Sequence, residues 1–264
     1  MSGPCCLFDQ VSDFARQRAG RTALITGSSR ISYGELDDRA RRVGNGLHAL
    51  KLEQQSRVAI LCRNRHEFFE IWQGAAMAGH VLSPINAKLA AREIAFILND
   101  SQARLLFVDE AFHGLVQEIS GELSAVQQIF TLGSHPQWRS YSDWRDGQSF
   151  EEPPRSLLPD DTVVQRYTSG TTGFPKGAYL HHRGITNNAR FFCERFEVAD
   201  GDVFVNPMPL FHTAGCVIAT LGPVQLGATL VCLVQFDPAL MLELLESEKG
   251  THMLGVPTML IAVM

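Results

Sequence analysis

The chain has 264 residues, 45% hydrophobic and 19% charged, with a net charge of −5. At about 100–200 residues per domain it holds one large or two smaller domains. The acidic balance excludes the dense basic face of a nucleic-acid binder. The six cysteines show no CxxC spacing, and no apolar run approaches the ~18 residues of a membrane span.

Read in chain order, strand and helix patterns alternate. Thr22 to Thr26 predicts a short strand closed by Gly27-Ser28-Ser29. Ser32 with Glu35 predicts a capping box, and Leu36, Ala40, Val43 and Leu47 recur on one helical face. Arg57 to Cys62 predicts a buried strand, and His66 to Gly79 a helix with Phe69, Trp72, Ala75 and Ala76 inward. Val81 to Ile85 predicts a strand that Pro84 either ends or confines to an edge. Ile94, Ile97 and Leu98 mark a helix, Leu105 to Val108 a strand, Phe112 to Ile119 a helix and Gln128 to Leu132 a strand. Gly133 to Asp161 is rich in Pro, Gly and Ser and predicts a surface connection pinned by Trp138, Tyr141 and Trp144.

Thr162 to Tyr167 predicts the next strand. Beyond it, Ile185, Ala189, Phe192 and Phe196 predict a helix face, Val203 to Val205 a strand, and Ala214 the start of a small-residue helix. Ala228 to Val234 predicts a buried strand, Asp237-Pro238 a helix start with Asp as N-cap, Thr251 to Gly255 a last strand and Pro257-Thr258 a last helix start. The alternation predicts an α/β fold with parallel strands covered by helices. Residues 1–150 are expected to form a first lobe with its connection, and residues 151–264 a second.

Tyr167-Thr168-Ser169-Gly170-Thr171-Thr172-Gly173-Phe174-Pro175-Lys176-Gly177 carries the most chemistry. Glycines let the backbone approach a ligand closely, and successive backbone N–H groups can form a concave anion site. Hydroxyls and one lysine complete a set suited to polyphosphate. The order is not that of a Walker A loop, because Pro175 stands where that pattern needs glycine and Gly177 follows Lys176. By composition alone, an ordinary flexible loop is an equal reading.

The ordered string resembles the phosphate-binding signature of the adenylate-forming (AMP-binding) enzymes. Ile31 to Leu36, Val81 to Asn86 with Glu93-Ile94 and Asp100-Ser101, Pro209-Leu210-Phe211-His212 and Gly255-Val256-Pro257-Thr258 resemble further segments of that family, in its order. The combination is most similar to acyl-CoA synthetases acting on fatty or aromatic acids.

The resemblance implies ATP, Mg²⁺ and the co-substrate coenzyme A, with Thr168, Ser169, Gly170, Thr171, Thr172, Gly173 and Lys176 on the nucleotide phosphates. It also implies a catalytic place for His212 beside the acyl substrate, although a lone histidine in an apolar segment is more often structural. No protein metal-ligand set is expected. His181-His182 are expected to start a helix.

The family's adenine- and ribose-binding segments and C-terminal domain have no counterpart, so a partial N-terminal domain is expected, inactive alone and prone to self-association. A cytoplasmic setting is expected, without nucleic-acid partners. A peptide-synthetase-type adenylation domain and a non-catalytic nucleotide-binding protein are the alternatives.

Overall fold

The computed structural model describes residues 6, 7, 9–154, 157–168 and 175–264. In chain order the strands are β1 (Thr22–Thr26), β2 (Ser29–Ser32), β3 (Arg57–Leu61), β4 (Val81–Pro84), β5 (Ala103–Val108), β6 (Gln128–Thr131), β7 (Arg139–Ser140), β8 (Thr162–Thr168), β9 (Lys176–His181), β10 (Val203–Asn206), β11 (Thr229–Cys232) and β12 (His252–Met253). The helices are α1 (Asp9–Arg18), α2 (Tyr33–Ala49), α3 (His66–Met77), α4 (Ala91–Asp100), α5 (His113–Ile119), α6 (Tyr141–Asp146), α7 (His182–Arg195), α8 (Gly222–Gln225), α9 (Pro238–Ser247) and α10 (Pro257–Val263). A π-helix, Ala214–Leu221, runs directly into α8. Among the described residues, no helix is long and apolar enough to cross a membrane.

The chain forms two compact units. One comprises Asp38–Cys62 and Glu70–His182. Its sheet has the order β7-β6-β5-β3-β4-β8-β9, and every pair except β8–β9 is parallel. The two-residue period of a strand is plain in β5: Leu106 and Val108 join the cluster of Ile94, Ile97, Leu98, Val116 and Ile119, while Phe107 between them stacks on Phe130 at 4.8 Å. Pro84 ends β4, which pairs on both sides and is no edge strand.

The proline-rich connection is anchored as expected at Tyr141 and Trp144, both buried. It also contains β7 and α6, which its composition did not announce. Tyr141 donates to the fully buried Glu70 at 2.8 Å, beside Arg145 at 2.7 Å and Arg39 at 3.0 Å. The carboxylate is thus buried with two guanidiniums and a hydroxyl as partners, which is what makes its burial tolerable.

The second unit draws on Met1–Asp37, Arg63–Phe69 and Arg183–Met264. Its sheet, β12-β10-β11-β1-β2, is parallel except at β1–β2. The capping box at Ser32 is present: Ser32 N donates to Glu35 Oε2 at 2.8 Å, and Glu35 N to Ser32 Oγ at 3.2 Å. Asp237 caps α9 by accepting from Leu240 N at 2.9 Å. The buried stripe of α7 is Ile185, Ala189 and Cys193; Phe196, expected inward, is exposed and stacks on Phe192.

A boundary near residue 150 is not where the units part. Strand pairing decides otherwise: β8 joins β4, so residues 157–182 belong with the strands of the first half of the chain.

Candidate functional site

Strand β8 reads Thr-Val-Val-Gln-Arg-Tyr-Thr, and Val163, Val164 and Gln165 in its first half are buried. Strand β9 runs back beside it from Lys176. Ser169, Gly170, Thr171, Thr172 and Gly173 lie outside the described residues. Thr168, just before them, and Lys176, three residues after Gly173, are brought together: they are register partners at the end of the ladder, and both are exposed. Lys176, read from sequence as part of the loop, is the first residue of a strand.

Next along the ladder, Tyr167 faces Gly177. Tyr167 donates to Asp100 Oδ2 at 2.5 Å and accepts from Gln165 Nε2 at 3.2 Å. Burial first, then the Asp100 hydrogen bond, holds the phenol above its ordinary pKa, so it stays protonated and a donor. His182 opens α7, as expected of the histidine pair, while His181 closes β9. His182 is buried, and burial lowers its pKa to about 4, so the ring is neutral.

In the other unit, the segment around His212 is held by two buried asparagines. Asn206 ends β10, and its Oδ1 accepts from Met208 N at 2.8 Å. Its Nδ2 donates to Gly215 O and Thr220 Oγ1, both at 3.2 Å. Asn64 donates to Met208 O at 2.9 Å and Leu233 O at 2.8 Å, and accepts from Leu210 N at 2.8 Å. Met208 and Leu210 are thereby fixed on either side of Pro209.

His212 N then donates to Pro209 O at 3.0 Å, and His212 O accepts from Gly215 N at 2.8 Å and Cys216 N at 2.9 Å. A Cβ at Gly215 would lie 2.1 Å from Pro209 O, so only glycine permits this approach. The exposed imidazole accepts from Ala214 N through Nδ1 at 3.3 Å. A π-helix begins at Ala214, a rare form whose single-turn bulges are frequent at functional sites. Sequence reasoning missed Asn64 and Asn206, since a lone asparagine between charged or apolar residues carries no spacing signal. Among the described residues no group of three or more His, Cys, Asp or Glu could hold a metal ion.

Residues 11–264 match the family described as AMP-binding enzyme. The chain belongs to that family. It is 31% identical to the 4-hydroxybutyrate--CoA ligase 2 of Metallosphaera sedula over 92% of this chain and 47% of that protein. It is also 31% identical to the 3-hydroxybenzoate--CoA ligase of Aromatoleum sp. (strain CIB), over 93% of this chain and 47% of that one.

Among solved structures, the anthranilate CoA ligase AuaEII in complex with anthranoyl-AMP superposes with a TM-score of 0.92 at 26% identity, covering 97% of this chain and 51% of that one. The N-terminal domain of FACL13 from Mycobacterium tuberculosis gives 0.90 at 27% identity, covering 98% and 64%. The fold is that of the adenylate-forming enzymes' N-terminal domain, and the chain spans about half the length of the curated relatives it matches.

Proposed function

We propose that this chain carries the phosphate-holding part of an AMP-forming ligase that joins a carboxylic acid, fatty or aromatic, to coenzyme A. The observation that carries the reading is the pairing of Thr168 with Lys176 on either side of the Gly/Ser/Thr run. In that reaction the acid's carboxylate attacks the α-phosphate of ATP, giving an acyl-adenylate and pyrophosphate. The coenzyme A thiolate then attacks the acyl carbon and releases AMP.

An anion attacking a polyanion needs the phosphate charge fixed and neutralised beforehand. The Lys176 ammonium, the Thr168 hydroxyl and the run from Ser169 through Gly173 are the groups for that task. His212, held through Nδ1 by Ala214 N, is the residue assigned to orient the substrate carboxylate. With no carboxylate cage among the described residues, the donor set fits a Mg²⁺ held chiefly by the nucleotide's phosphates and water. When bound, the ion would offset phosphate charge. The peptide-synthetase alternative is not favoured, because Thr213 to Gly222 contains no acidic residue to meet an amino group.

Calorimetric titration with magnesium pyrophosphate tests the reading. A charged hydrogen bond is worth about 1.5–3 kcal/mol, so Lys176→Ala should weaken binding roughly ten-fold or more. Equal affinity of the two forms would remove Lys176 from the phosphate site.

A further inference from the structure

Asp100 is the last residue of α4, where the free carbonyls and the helix dipole disfavour an anion. Helix stability therefore does not account for a carboxylate there. What Asp100 does is accept the Tyr167 hydroxyl. Tyr167 in turn lies over its partner on the next strand. A Cβ at Gly177 would come within 3.0 Å of Tyr167 Cζ and 2.7 Å of Gln165 Nε2, so glycine there lets the ring and the amide lie close over the strand.

The contacts continue as a polar chain. Gln165 Oε1 accepts from Arg57 Nε at 3.2 Å, and Arg57 Nη2 donates to the Tyr179 hydroxyl at 2.8 Å. Side chains from α4, β3, β8 and β9 are thus joined one rung from Thr168 and Lys176, the terminal pair of the ladder. A ladder end is where strands open most easily. A slip of one residue would turn Lys176 to the opposite face of the sheet.

We infer that Asp100, Tyr167 and Gly177 form a register lock that keeps Lys176 opposite Thr168, and that Asp100 and Tyr167 are positioning residues for polyphosphate binding. The inference rests on the phosphate reading above. Its substrate-facing group is Lys176, and Asp100 acts on affinity through that side chain.

The experiment titrates the chain and its variants with magnesium pyrophosphate and follows amide hydrogen exchange in the same proteins. Asp100→Ala should weaken pyrophosphate roughly five-fold, the loss of one partly exposed hydrogen bond. Asp100→Asn keeps an oxygen acceptor for Tyr167 and should restore most of the affinity. In a Lys176→Ala background, Asp100→Ala should cost nothing further, because coupled residues are non-additive. Exchange at residues 166–168 and 176–178 should quicken in Asp100→Ala and stay unchanged in β5 and β6.

Unchanged exchange at the hairpin would overturn the lock. Losses that add in full would make Asp100 a general stabilising residue and overturn its positioning role. Affinity lost in Lys176→Ala but intact in Asp100→Ala would overturn this inference alone. Wild-type affinity in Lys176→Ala would overturn the phosphate reading and this role with it.

Discussion

Asn64 satisfies two backbone carbonyls and one backbone N–H with a single buried side chain. Asn64→Asp keeps the volume but turns an oxygen toward Met208 O and Leu233 O. Losing two donors and burying a charge should cost about 3 kcal/mol or more, read as a lowered urea midpoint. A midpoint equal to wild type would show that these carbonyls find other partners. The string from Tyr167 to Gly177 was legible because its order is distinctive. Asn64 and Asn206 were not, because their meaning lies in carbonyls far away in sequence.

Two buried histidines, His80 and His182, make stability depend on pH. Burial lowers each pKa to about 4, against about 6.5 in an unfolded chain. Between these values the unfolded chain takes up protons that the folded one refuses. Stability contributed by the neutral rings is therefore complete above pH 6.5 and falls as pH drops toward 4, by up to a few kcal/mol per ring. Denaturant midpoints from pH 7 to 4.5 check this: His182→Gln should flatten the decline, and an identical slope would contradict the assignment.

At the scale of elements, the crossing of α2 and α3 depends on Gly74. A Cβ there would meet Val43 Cβ at 2.4 Å and Ala40 O at 2.7 Å, neither of which can swing aside. Gly74→Ala should destabilise by about 1–3 kcal/mol despite alanine's better helix propensity. Gly114→Ala in α5, where nothing lies within 4 Å, should be neutral or slightly stabilising. Thermal melts of the two variants decide it, and equal melting temperatures would mean that the helices can separate at little cost.

Most buried strands and amphipathic helices were readable, since burial imposes periods of 2 and 3.6 residues; α1 was not among those expected. Strand β9 was not: Lys-Gly-Ala-Tyr-Leu-His is a largely exposed edge strand with no apolar alternation. Strand β2 was not read either: only Ser29 at its start fell in the expected turn and Ser32 at its end in the expected cap. The antiparallel turn-back that sets Lys176 against Thr168 therefore became visible only in the structure.

Across the whole molecule, the order of the family segments was legible, and the membership of the two units was not. Strand pairing, which no local pattern encodes, places β8 and β9 with β4 and separates them from β10. One surface feature gives a prediction at this scale. Leu240 and Leu242 on α9 and Val256, Leu260 and Ile261 around α10 are exposed, and exposed apolar side chains favour association. The chain should therefore self-associate as concentration rises, with Leu242→Glu plus Ile261→Glu restoring monomer in light scattering. A monodisperse wild-type chain at every concentration would refute it.

The register of β1 with β11 also has a consequence in time. Leu24 sits against Leu230, so the strand that divides the five-stranded sheet's antiparallel edge from its parallel part must wait for a partner synthesised some 200 residues later. At ribosomal speeds of 5–20 residues per second, that wait is roughly 10–40 s. The unit ending at His182 can close first, while Ala23, Leu24 and Ile25 have only β2 beside them. For that interval β1 has β2 along one edge, and its other edge, with its row of unpaired N–H and C=O groups, stays open.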